Sequence, residues 1–412
     1  MPATTDFSTA YCTKHKIIME DISSKDIDEL KKYLGSLGEK PFRAKQIYKW
    51  LHQSLATDFS QMTDLSKALR EKLSNEAYIT VPEPVDIQIS REDGTRKYLF
   101  RLPDDSLVES VLMKYKFGWS VCISSQVGCR MGCAFCASGM DGLLRGLTPG
   151  EMLGQIEAIQ RDVFSDTTDH AKRHEEHTTD CAKKHEEHTT DCAQEHGNRT
   201  DPEAPSVPKP DSEEYLRNRI SHVVVMGTGE PLDNYDNLLI FIRMLTDENG
   251  LHISQRNLTV STCGIVPRIK ELAEKKLEIT LALSLHAPTQ EKRRKLMPVA
   301  NKYDISEAVG AMKYYQDTTG RRVTFEYSLI KGVNDTDEDA EQLSSLLWRG
   351  AHINLIPVNP VKERTFAAPT RAAAIDFQRK LEKFGINATI RREMGQDIDG
   401  ACGQLRRRHL ER

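Results

Sequence analysis

The chain lacks any stretch that approaches roughly eighteen consecutive apolar residues, and its first residues lack the charged-then-apolar pattern of a secretion signal. Both absences disfavour membrane insertion and secretion, so the sequence predicts a cytoplasmic protein without a membrane partner. Nine cysteines, an odd number spread over 412 residues, are typical of a reducing compartment where thiols serve metal binding or catalysis. The length is sufficient for a large core and more than one domain.

A strong net charge is also lacking, since the chain carries −4 in total. The segment 165–214 holds fourteen Asp and Glu against six Lys and Arg, so the rest of the chain carries +4. A mildly positive body permits RNA binding without demonstrating it. The same segment is histidine-rich, almost entirely polar, and repeats one unit at 171–181 and 182–192. Because it offers too little apolar surface to offset the entropy of ordering, we predict a disordered, dispensable surface insertion.

The first part of the chain shows helical periodicity, with apolar residues three or four positions apart between residues 16 and 80. We therefore predict a small N-terminal helical accessory domain over residues 1–90. One stretch of it alternates basic and aromatic side chains: Lys40, Phe42, Arg43, Lys45, Tyr48, Lys49 and Trp50. This mixture suits RNA binding, and it equally suits a solvated helix face with buried aromatic residues.

Shorter alternating runs at 98–102 and 107–113 predict strands, and from residue 119 apolar runs alternate with helical patterns. The predicted strands of this repeating part are 119–125, 222–227, 257–262, 279–285, 323–330 and 352–358. The predicted helices lie near 149–163, 235–246, 267–275, 304–317, 336–347 and 371–384. Six strand–helix units predict an α/β fold with a parallel sheet, closed or partly closed, whose ligands bind at the carboxyl ends of the strands. We assign 91–385 to this unit and 386–412 to a C-terminal segment.

Three cysteines, Cys129, Cys133 and Cys136, follow the first of these strands in a CxxxCxxC pattern. An iron–sulfur cluster used for electron transfer normally takes four cysteines, whereas a catalytic metal site keeps one position open. No Cys or His follows within residues 137–142. The spacing therefore favours a four-iron cluster with one iron lacking a protein ligand, and a structural zinc site is the alternative.

This loop, with Phe135 before its last cysteine, resembles the signature of radical S-adenosylmethionine (radical SAM) enzymes. The turn Gly227–Pro231 after the second strand resembles the glycine-rich element with which such enzymes hold the amino group of the cofactor. The resemblance implies a partial (β/α)6 radical SAM barrel that binds a [4Fe-4S] cluster and S-adenosylmethionine. The residues that it implies as cofactor contacts are Gly229, Glu230, Ser261, Ser284, Leu285, His286 and Asn359.

The C-terminal run from Gly395 to Leu405, which contains Cys402, narrows the resemblance. With Glu109, Cys122, 125–128 and 355–360, it is similar to the RlmN/Cfr family of radical SAM RNA adenosine methyltransferases. The similarity extends from about residue 20 to 408, outside 165–214. It implies that Cys402 accepts a methyl group from one S-adenosylmethionine, and that a second molecule supplies the radical that activates this methyl group for addition to the base. By the same resemblance, Glu109 accepts the ring proton and Cys122 releases the RNA by forming a disulfide with Cys402.

The implied reaction is methylation of C2 of adenosine in 23S rRNA, in the peptidyl-transferase region, and in tRNA next to the anticodon. A reducing electron donor such as flavodoxin or ferredoxin is the further partner implied. Methylation of C8, as in Cfr-type enzymes, is the alternative within the family, because the run from Met113 to Trp119 echoes that type. From other classes, a glycyl-radical activase and a zinc-dependent RNA-binding protein also remain open.

Overall fold

The structure, a computed structural model, describes residues 19–183, 207–209, 212–358, 366–399 and 403–410. Its strands are β1 Glu20–Asp21, β2 Ala77–Tyr78, β3 Glu83–Ile89, β4 Arg96–Arg101, β5 Leu107–Tyr115, β6 Gly118–Ile123, β7 Gln126–Gly128, β8 Leu143–Gly146, β9 Ile220–Val225, β10 Leu258–Thr262, β11 Thr280–Ser284, β12 Val323–Leu329, β13 His352–Pro357 and β14 Asn387–Ile390. Its helices are α1 Ile27–Ser36, α2 Phe42–His52, α3 Lys67–Glu76, α4 Pro149–Lys183, α5 Glu213–Asn218, α6 Tyr235–Thr246, α7 Val266–Glu274, α8 Gln290–Leu296, α9 Ile305–Thr319, α10 Asp337–Leu346, α11 Arg371–Lys383 and α12 Gln404–Leu410.

Helices α1–α3 form a helical unit at the N-terminus, closed by the parallel pair β1 and β2. A capping box at Asp26 starts α1, where the side chain accepts backbone N–H groups of the first turn. The unit packs on the main body: the Tyr48 hydroxyl donates to the Met244 carbonyl, and His52 Nδ1 lies 2.6 Å from Glu157 Oε1. Of the aromatic residues in the basic stretch, Tyr48 is fully buried and Phe42 is 55% exposed. The interpretation as a helix face with buried aromatic residues therefore holds for Tyr48, and RNA binding by this stretch stays a prediction.

The main body is one ten-stranded sheet in the order β14-β13-β12-β11-β10-β9-β6-β5-β4-β3. Strands β3 to β6 are antiparallel neighbours, whereas β6 and β9 to β14 are parallel. Parallel neighbours require crossovers, and helices supply them. Buried apolar residues of the strands and helices form one continuous core. In the described part of the chain, no helix is both long and apolar enough to span a bilayer.

The face of the sheet that is turned away from the crossover helices is concave and lines an internal cavity. Paired residues on adjacent strands point to the same face, so the pairs Val111–Cys122 and Cys122–Val224 set one row of inward positions across β5, β6 and β9. Lys97 of β4 and Arg391, directly after β14, line the same cavity although they belong to distant strands of the sheet. The sheet therefore curls into a partial barrel, which confirms the predicted fold class.

The strand–helix alternation predicted from residue 119 onwards agrees with the structure, with boundaries displaced by at most two residues apart from the end of α4. A seventh parallel strand, β14, was not predicted. The prediction of disorder from residue 165 is wrong for its first part, because α4 continues to Lys183. The boundaries 165–214 are also too wide: Asp166 forms an ion pair with Arg96, and Val207 packs against the core. Residues 184–206 of this segment lie outside the described residues.

The main sheet begins earlier than the boundary predicted at residue 90, since Glu83–Ile89 pairs antiparallel with β4. The helical unit thus ends with β2, and the C-terminal segment from 386 contributes β14 to the sheet.

Candidate active site

The three cysteines of the CxxxCxxC motif lie on the loop between β7 and β8. These strands pair with each other, and the Cys129 N–H donates to the Gly142 carbonyl at 2.8 Å, which closes the base of the loop. Gly128 has a φ of +76°, and a Cβ atom there would lie 2.1 Å from the Gly142 carbonyl oxygen. At its far side, the Ala134 N–H donates to the Leu296 carbonyl at the end of α8. The loop is therefore fixed by backbone contacts at two points.

The environment of the thiols suits an iron–sulfur cluster. Burial raises the pKa of Cys129 to about 11, and the neighbouring Cys136 acts in the same direction. Burial likewise raises the pKa of Cys133, as do Cys136 and Cys129. Leu296 and Met297 make the surroundings of Cys133 apolar. A coordinating metal reverses this preference, because its charge deprotonates the thiols.

Three thiol donors on one loop fit a [4Fe-4S] cluster with one iron open to another ligand. Within the described ranges, no group of three or more His, Cys, Asp and Glu side chains is arranged to hold a single metal ion.

The glycine-rich turn after β9 packs directly against the end of β6. The Gly227 N–H donates to the Ile123 carbonyl at 2.9 Å, and a Cβ atom on Gly227 would lie 2.7 Å from that oxygen. Gly229 has a φ of +117°, and a Cβ atom there would lie 2.7 Å from Ser125 Oγ and 2.8 Å from the Gln126 nitrogen. Only glycine permits this approach. The turn is thereby held beside the strand that leads into the cysteine loop.

Glu230 is almost fully buried and uses its carboxylate within the protein. Oε1 accepts the Leu232 N–H at 3.1 Å, and Oε2 accepts the Cys263 N–H at 2.7 Å. Burial raises the pKa of Glu230, while these hydrogen bonds oppose the rise. The carboxylate therefore joins the glycine-rich turn to the end of β10.

Sequence reasoning missed Arg293, a fully buried arginine of α8. Its guanidinium group lies at the ends of β10 and β11. Nη2 donates to the Cys263 carbonyl at 2.6 Å, and Nε donates to the Leu285 carbonyl at 3.3 Å. Nη1 is buried and has no hydrogen-bond partner among the described residues. An open guanidinium donor beside the predicted cofactor residues fits a ligand that carries a carboxylate, such as S-adenosylmethionine. The sequence does not indicate that this arginine is buried, because the run 290–295 has the composition of a solvated helix face.

His286 follows β11 in a left-handed backbone conformation, with a φ of +55°. Its Nδ1 accepts the Ser328 N–H at 2.8 Å, and its ring centroid lies 4.6 Å from that of Phe135. Burial, aided by Arg293, lowers the pKa of His286 to about 3. The imidazole is therefore neutral at physiological pH, with its proton on Nε2, and it links the cysteine loop to the strand ends.

Two further predicted cofactor residues lie near the strand ends: Ser261 is the second-last residue of β10, and Ser284 is the last of β11. Ser261 pairs with Ala282, so the side chains of Ser261 and Ser284 share one face of the sheet. The Ser261 hydroxyl donates to the Val225 carbonyl at 3.2 Å. Leu285 is buried, and its N–H donates to the Glu326 carbonyl. The described cofactor candidates thus gather at the carboxyl ends of consecutive parallel strands, whereas Asn359 lies outside the described residues.

A cavity of about 600 Å³ opens within the barrel, and Glu109 and Cys122 both line it. Burial raises the pKa of the Cys122 thiol, while the charges of Arg391 and Lys97 oppose the rise. Glu109 is 2% exposed, and its Oε2 lies 2.9 Å from Nζ of Lys97, which is fully buried. Glu109 therefore does not face solvent.

The Glu109 carboxylate also holds the start of α12. The Gly403 N–H donates to Oε2 at 2.6 Å, and the Arg406 N–H donates to Oε1 at 2.7 Å. Gly403 follows Cys402 in the sequence and has a φ of +83°, and a Cβ atom on it would lie 3.0 Å from Cβ of Ala137, the residue after the last cluster cysteine. The C-terminal helix is therefore docked between the cavity and the cysteine loop.

Residues before Cys402 dock on the hairpin between β3 and β4. The Asp397 carboxylate accepts the Ser90 hydroxyl at 2.6 Å and the Arg91 N–H at 2.8 Å. The Asp399 N–H donates to the Gln88 side chain at 2.9 Å. Cys402 itself lies outside the described residues, and contacts on both sides of it attach the segment to the barrel.

This arrangement defines a radical SAM enzyme, and the model of the radical SAM superfamily matches residues 123–344. The superfamily implies a [4Fe-4S] cluster and S-adenosylmethionine as cofactors. Residues 21–79 match the ribosomal RNA large subunit methyltransferase N-terminal domain. A crystal structure of a radical SAM methyltransferase from Sphaerobacter thermophilus superimposes with a TM-score of 0.77, at 37% identity over 93% of this chain and 98% of that chain.

Curated relatives give the particular family. The chain is 52% identical to a probable dual-specificity RNA methyltransferase RlmN from Lachnospira eligens, over 95% of this chain and 97% of the relative. It is 48% identical to a protein of the same description from Lachnoclostridium phytofermentans, over 95% and 96% of the two chains. The chain belongs to the RlmN family.

Proposed function

We propose that the chain methylates C2 of adenosine in RNA, acting on 23S rRNA in the peptidyl-transferase region and on tRNA next to the anticodon. The two relatives are described as dual-specificity RNA methyltransferases, which supports RNA as the substrate. The observation that carries the proposal is the contact between Glu109 and Gly403, because it attaches the segment of Cys402 to the cavity that contains Cys122.

The proposed cofactor set uses residues already located around the cysteine loop. Cys129, Cys133 and Cys136 would hold the cluster, and the glycine-rich turn with the strand ends of β10 and β11 would hold S-adenosylmethionine. When bound, these groups supply the methyl group and the radical that activates it, with two S-adenosylmethionine molecules used per turnover. A reducing protein such as flavodoxin or ferredoxin would provide the electrons.

Cys402 would carry the methyl group, because C2 of adenine is electron-poor and is no nucleophile toward a sulfonium methyl. Carriage requires thiolate character at Cys402. Addition of the carbon radical to C2 would leave an unpaired electron on the ring. Loss of the ring proton and of one electron, which the oxidised cluster could accept, would then give a base linked to Cys402 through a thioether. Attack of the Cys122 thiolate on the Cys402 sulfur forms a disulfide and breaks the carbon–sulfur bond, whose electron pair and a proton complete the new methyl group.

Glu109 is the proposed acceptor of the ring proton. Three donors, from Lys97, Gly403 and Arg406, lie within hydrogen-bond distance of its two oxygens, which offer about four acceptor sites. The ring proton would therefore take the remaining acceptor site. The two backbone donors belong to the C-terminal segment at α12, so the proposed proton acceptor also contacts that segment.

The product of the reaction tests the proposal directly. Anaerobically reconstituted protein is incubated with S-adenosylmethionine, a reductant and unmodified 23S rRNA fragments or tRNA, and the nucleosides are analysed by mass spectrometry against synthetic standards. We expect 2-methyladenosine. A main product of 8-methyladenosine would replace the proposal with the C8 alternative.

Cysteine variants test the roles of the two thiols. Cys402→Ala should abolish methylation, and Cys122→Ala should accumulate protein covalently attached to RNA, which is detected as a shifted band that nuclease digestion removes. Cys181→Ala, from the polar repeat, is the matched control and should retain full activity. Methylation by Cys402→Ala at the wild-type rate would exclude a methyl-carrying role for this thiol.

A further inference from the structure

Lys97 is a lysine without any solvent exposure in the wall of the cavity. It lies on β4 opposite Val111 of β5, and Val111 lies opposite Cys122 of β6, so the three side chains form one inward row. Its Nζ lies 2.9 Å from Glu109 Oε2. Lysine is almost never fully buried unless its charge is paired, and the reaction described above assigns it no step.

The chemistry of Glu109 explains why a cation is needed at this position. Burial disfavours an ionised carboxylate, whereas an ammonium group within hydrogen-bond distance favours it. Only the ionised carboxylate offers full acceptor capacity on both oxygens to the N–H groups of Gly403 and Arg406. The position of the C-terminal helix thus depends on the pairing of this buried carboxylate with Lys97.

We propose that Lys97 is a positioning residue: its ammonium group holds the Glu109 carboxylate in place through their ion pair, so that this carboxylate holds residues 403–410 against the cavity. The inference deepens the proposed function, since it concerns the segment that carries the methyl-accepting cysteine. It does not depend on turnover, because the docking exists in the protein without RNA.

A lysine that only fills space or stabilises the barrel is the alternative. The two roles differ in how the effect of Lys97 depends on Glu109. A positioning role passes through the carboxylate, so removing Lys97 should have no further effect on docking once Glu109 is neutral. A general packing role would add its own effect in either background.

The experiment is hydrogen–deuterium exchange of the full chain without added cofactor, read by mass spectrometry on peptides that cover 403–410 and, as a folding control, the buried strand β12. The variants are Lys97→Met, which keeps the stem without the charge, Lys97→Arg, Glu109→Gln, and the double variant of Lys97→Met with Glu109→Gln. Arg101→Met is the matched control, since Arg101 lies on the same strand and pairs with Glu83 at the surface.

We expect exchange in 403–410 to accelerate about 10-fold or more in Lys97→Met, in keeping with the loss of charge-assisted hydrogen bonds. Lys97→Arg should restore most of the protection, and Arg101→Met should leave it unchanged. Glu109→Gln and the double variant should exchange equally fast in 403–410.

Wild-type protection of 403–410 in a folded Lys97→Met variant would overturn the inference. Lys97→Met can fail to fold, because it leaves a buried carboxylate unpaired. In that case the test compares Glu109→Gln with the double variant, since both have a neutral side chain at position 109. A double variant that exchanges markedly faster than Glu109→Gln alone would then overturn it. Failure of the wild type to methylate RNA, with 403–410 protected, would instead contradict the proposed function and leave this inference standing.

Discussion

Replacement of Gly128 by alanine is the sharpest structural perturbation of the cysteine loop. The residue has a φ of +76°, and its new Cβ atom would lie 2.1 Å from the carbonyl oxygen of Gly142. Both atoms belong to the backbone framework, so no side chain can rotate to relieve the overlap. The chain must separate at the base of the loop, where Cys129 N–H donates to the same carbonyl.

The cost follows from two contributions. A non-glycine residue in the left-handed region costs about 1 kcal/mol. Loss of the hydrogen bond from Cys129, which is 8% exposed, costs about 1–3 kcal/mol if its N–H is left without a partner. Gly142→Ala is the matched control: Gly142 has a φ of +73° but no atom within 4 Å of its added Cβ. It should carry the first cost without the second.

Iron and sulfide per chain, measured after anaerobic reconstitution and after a timed challenge with an iron chelator, provide the assay. Gly128→Ala should retain clearly less iron than Gly142→Ala, which should lie near the wild type. Denaturant unfolding should show a larger loss of stability in Gly128→Ala than in Gly142→Ala, since Val127 of β7 belongs to the main core. Equal iron retention by Gly128→Ala and the wild type would refute the reasoning that this backbone contact fixes the ligand loop.

Three further predictions concern other parts of the structure. The pKa of His286 is about 3 in the folded protein and 6.5 in an exposed chain, so below pH 6.5 the unfolded chain binds a proton that the folded protein does not bind. The free energy of unfolding should therefore fall as the pH drops below 6.5, by about 2 kcal/mol at pH 5. Urea unfolding of the apoprotein at pH 7 and pH 5 should show this loss in the wild type but a smaller one in His286→Asn, and identical losses in the two proteins would contradict it. Because burial raises the pKa of the Cys122 thiol, its alkylation by iodoacetamide at pH 7 should be slower in the folded protein than in urea, as read by peptide mass spectrometry. Equal rates would contradict the raised pKa. Replacing 167–206 by a short Gly/Ser linker should leave RNA methylation intact, and loss of activity in this variant, if it folds, would refute that prediction. Deleting 165–214 should instead lower stability, because Asp166 and Val207 contact the main body.

The sequence carried enough information to predict the strand–helix alternation, because apolar runs and helical periodicity are local patterns. It did not reveal β14, since Asn387–Ile390 is short and half exposed and gains its place only by pairing with β13. The helical extension to Lys183 was missed because the prediction weighed burial alone. Residues such as Ala, Glu and Lys favour helix locally, without a core.

The sequence revealed those site residues that belong to contiguous motifs and missed those whose surroundings come from distant parts of the chain. The cysteine loop and the glycine-rich turn are contiguous motifs, and the fold brings them together as predicted. Lys97 and Arg293 were missed because their burial depends on partners distant in sequence: Glu109 for the lysine, and carbonyls of Cys263 and Leu285 for the arginine. An inward lysine in the pattern of β4 is a weak signal that becomes interpretable only beside an inward glutamate on the next strand.

Reductive cleavage of S-adenosylmethionine tests the central claim most directly, namely that three cysteine ligands hold a cluster with one iron open to this cofactor. Anaerobically reconstituted protein with a full complement of iron and sulfide is mixed with S-adenosylmethionine and a reductant, and 5′-deoxyadenosine is quantified by chromatography. We predict its formation by the wild type and its absence in Cys133→Ala. Failure of the fully iron-loaded wild type to form it would contradict the account.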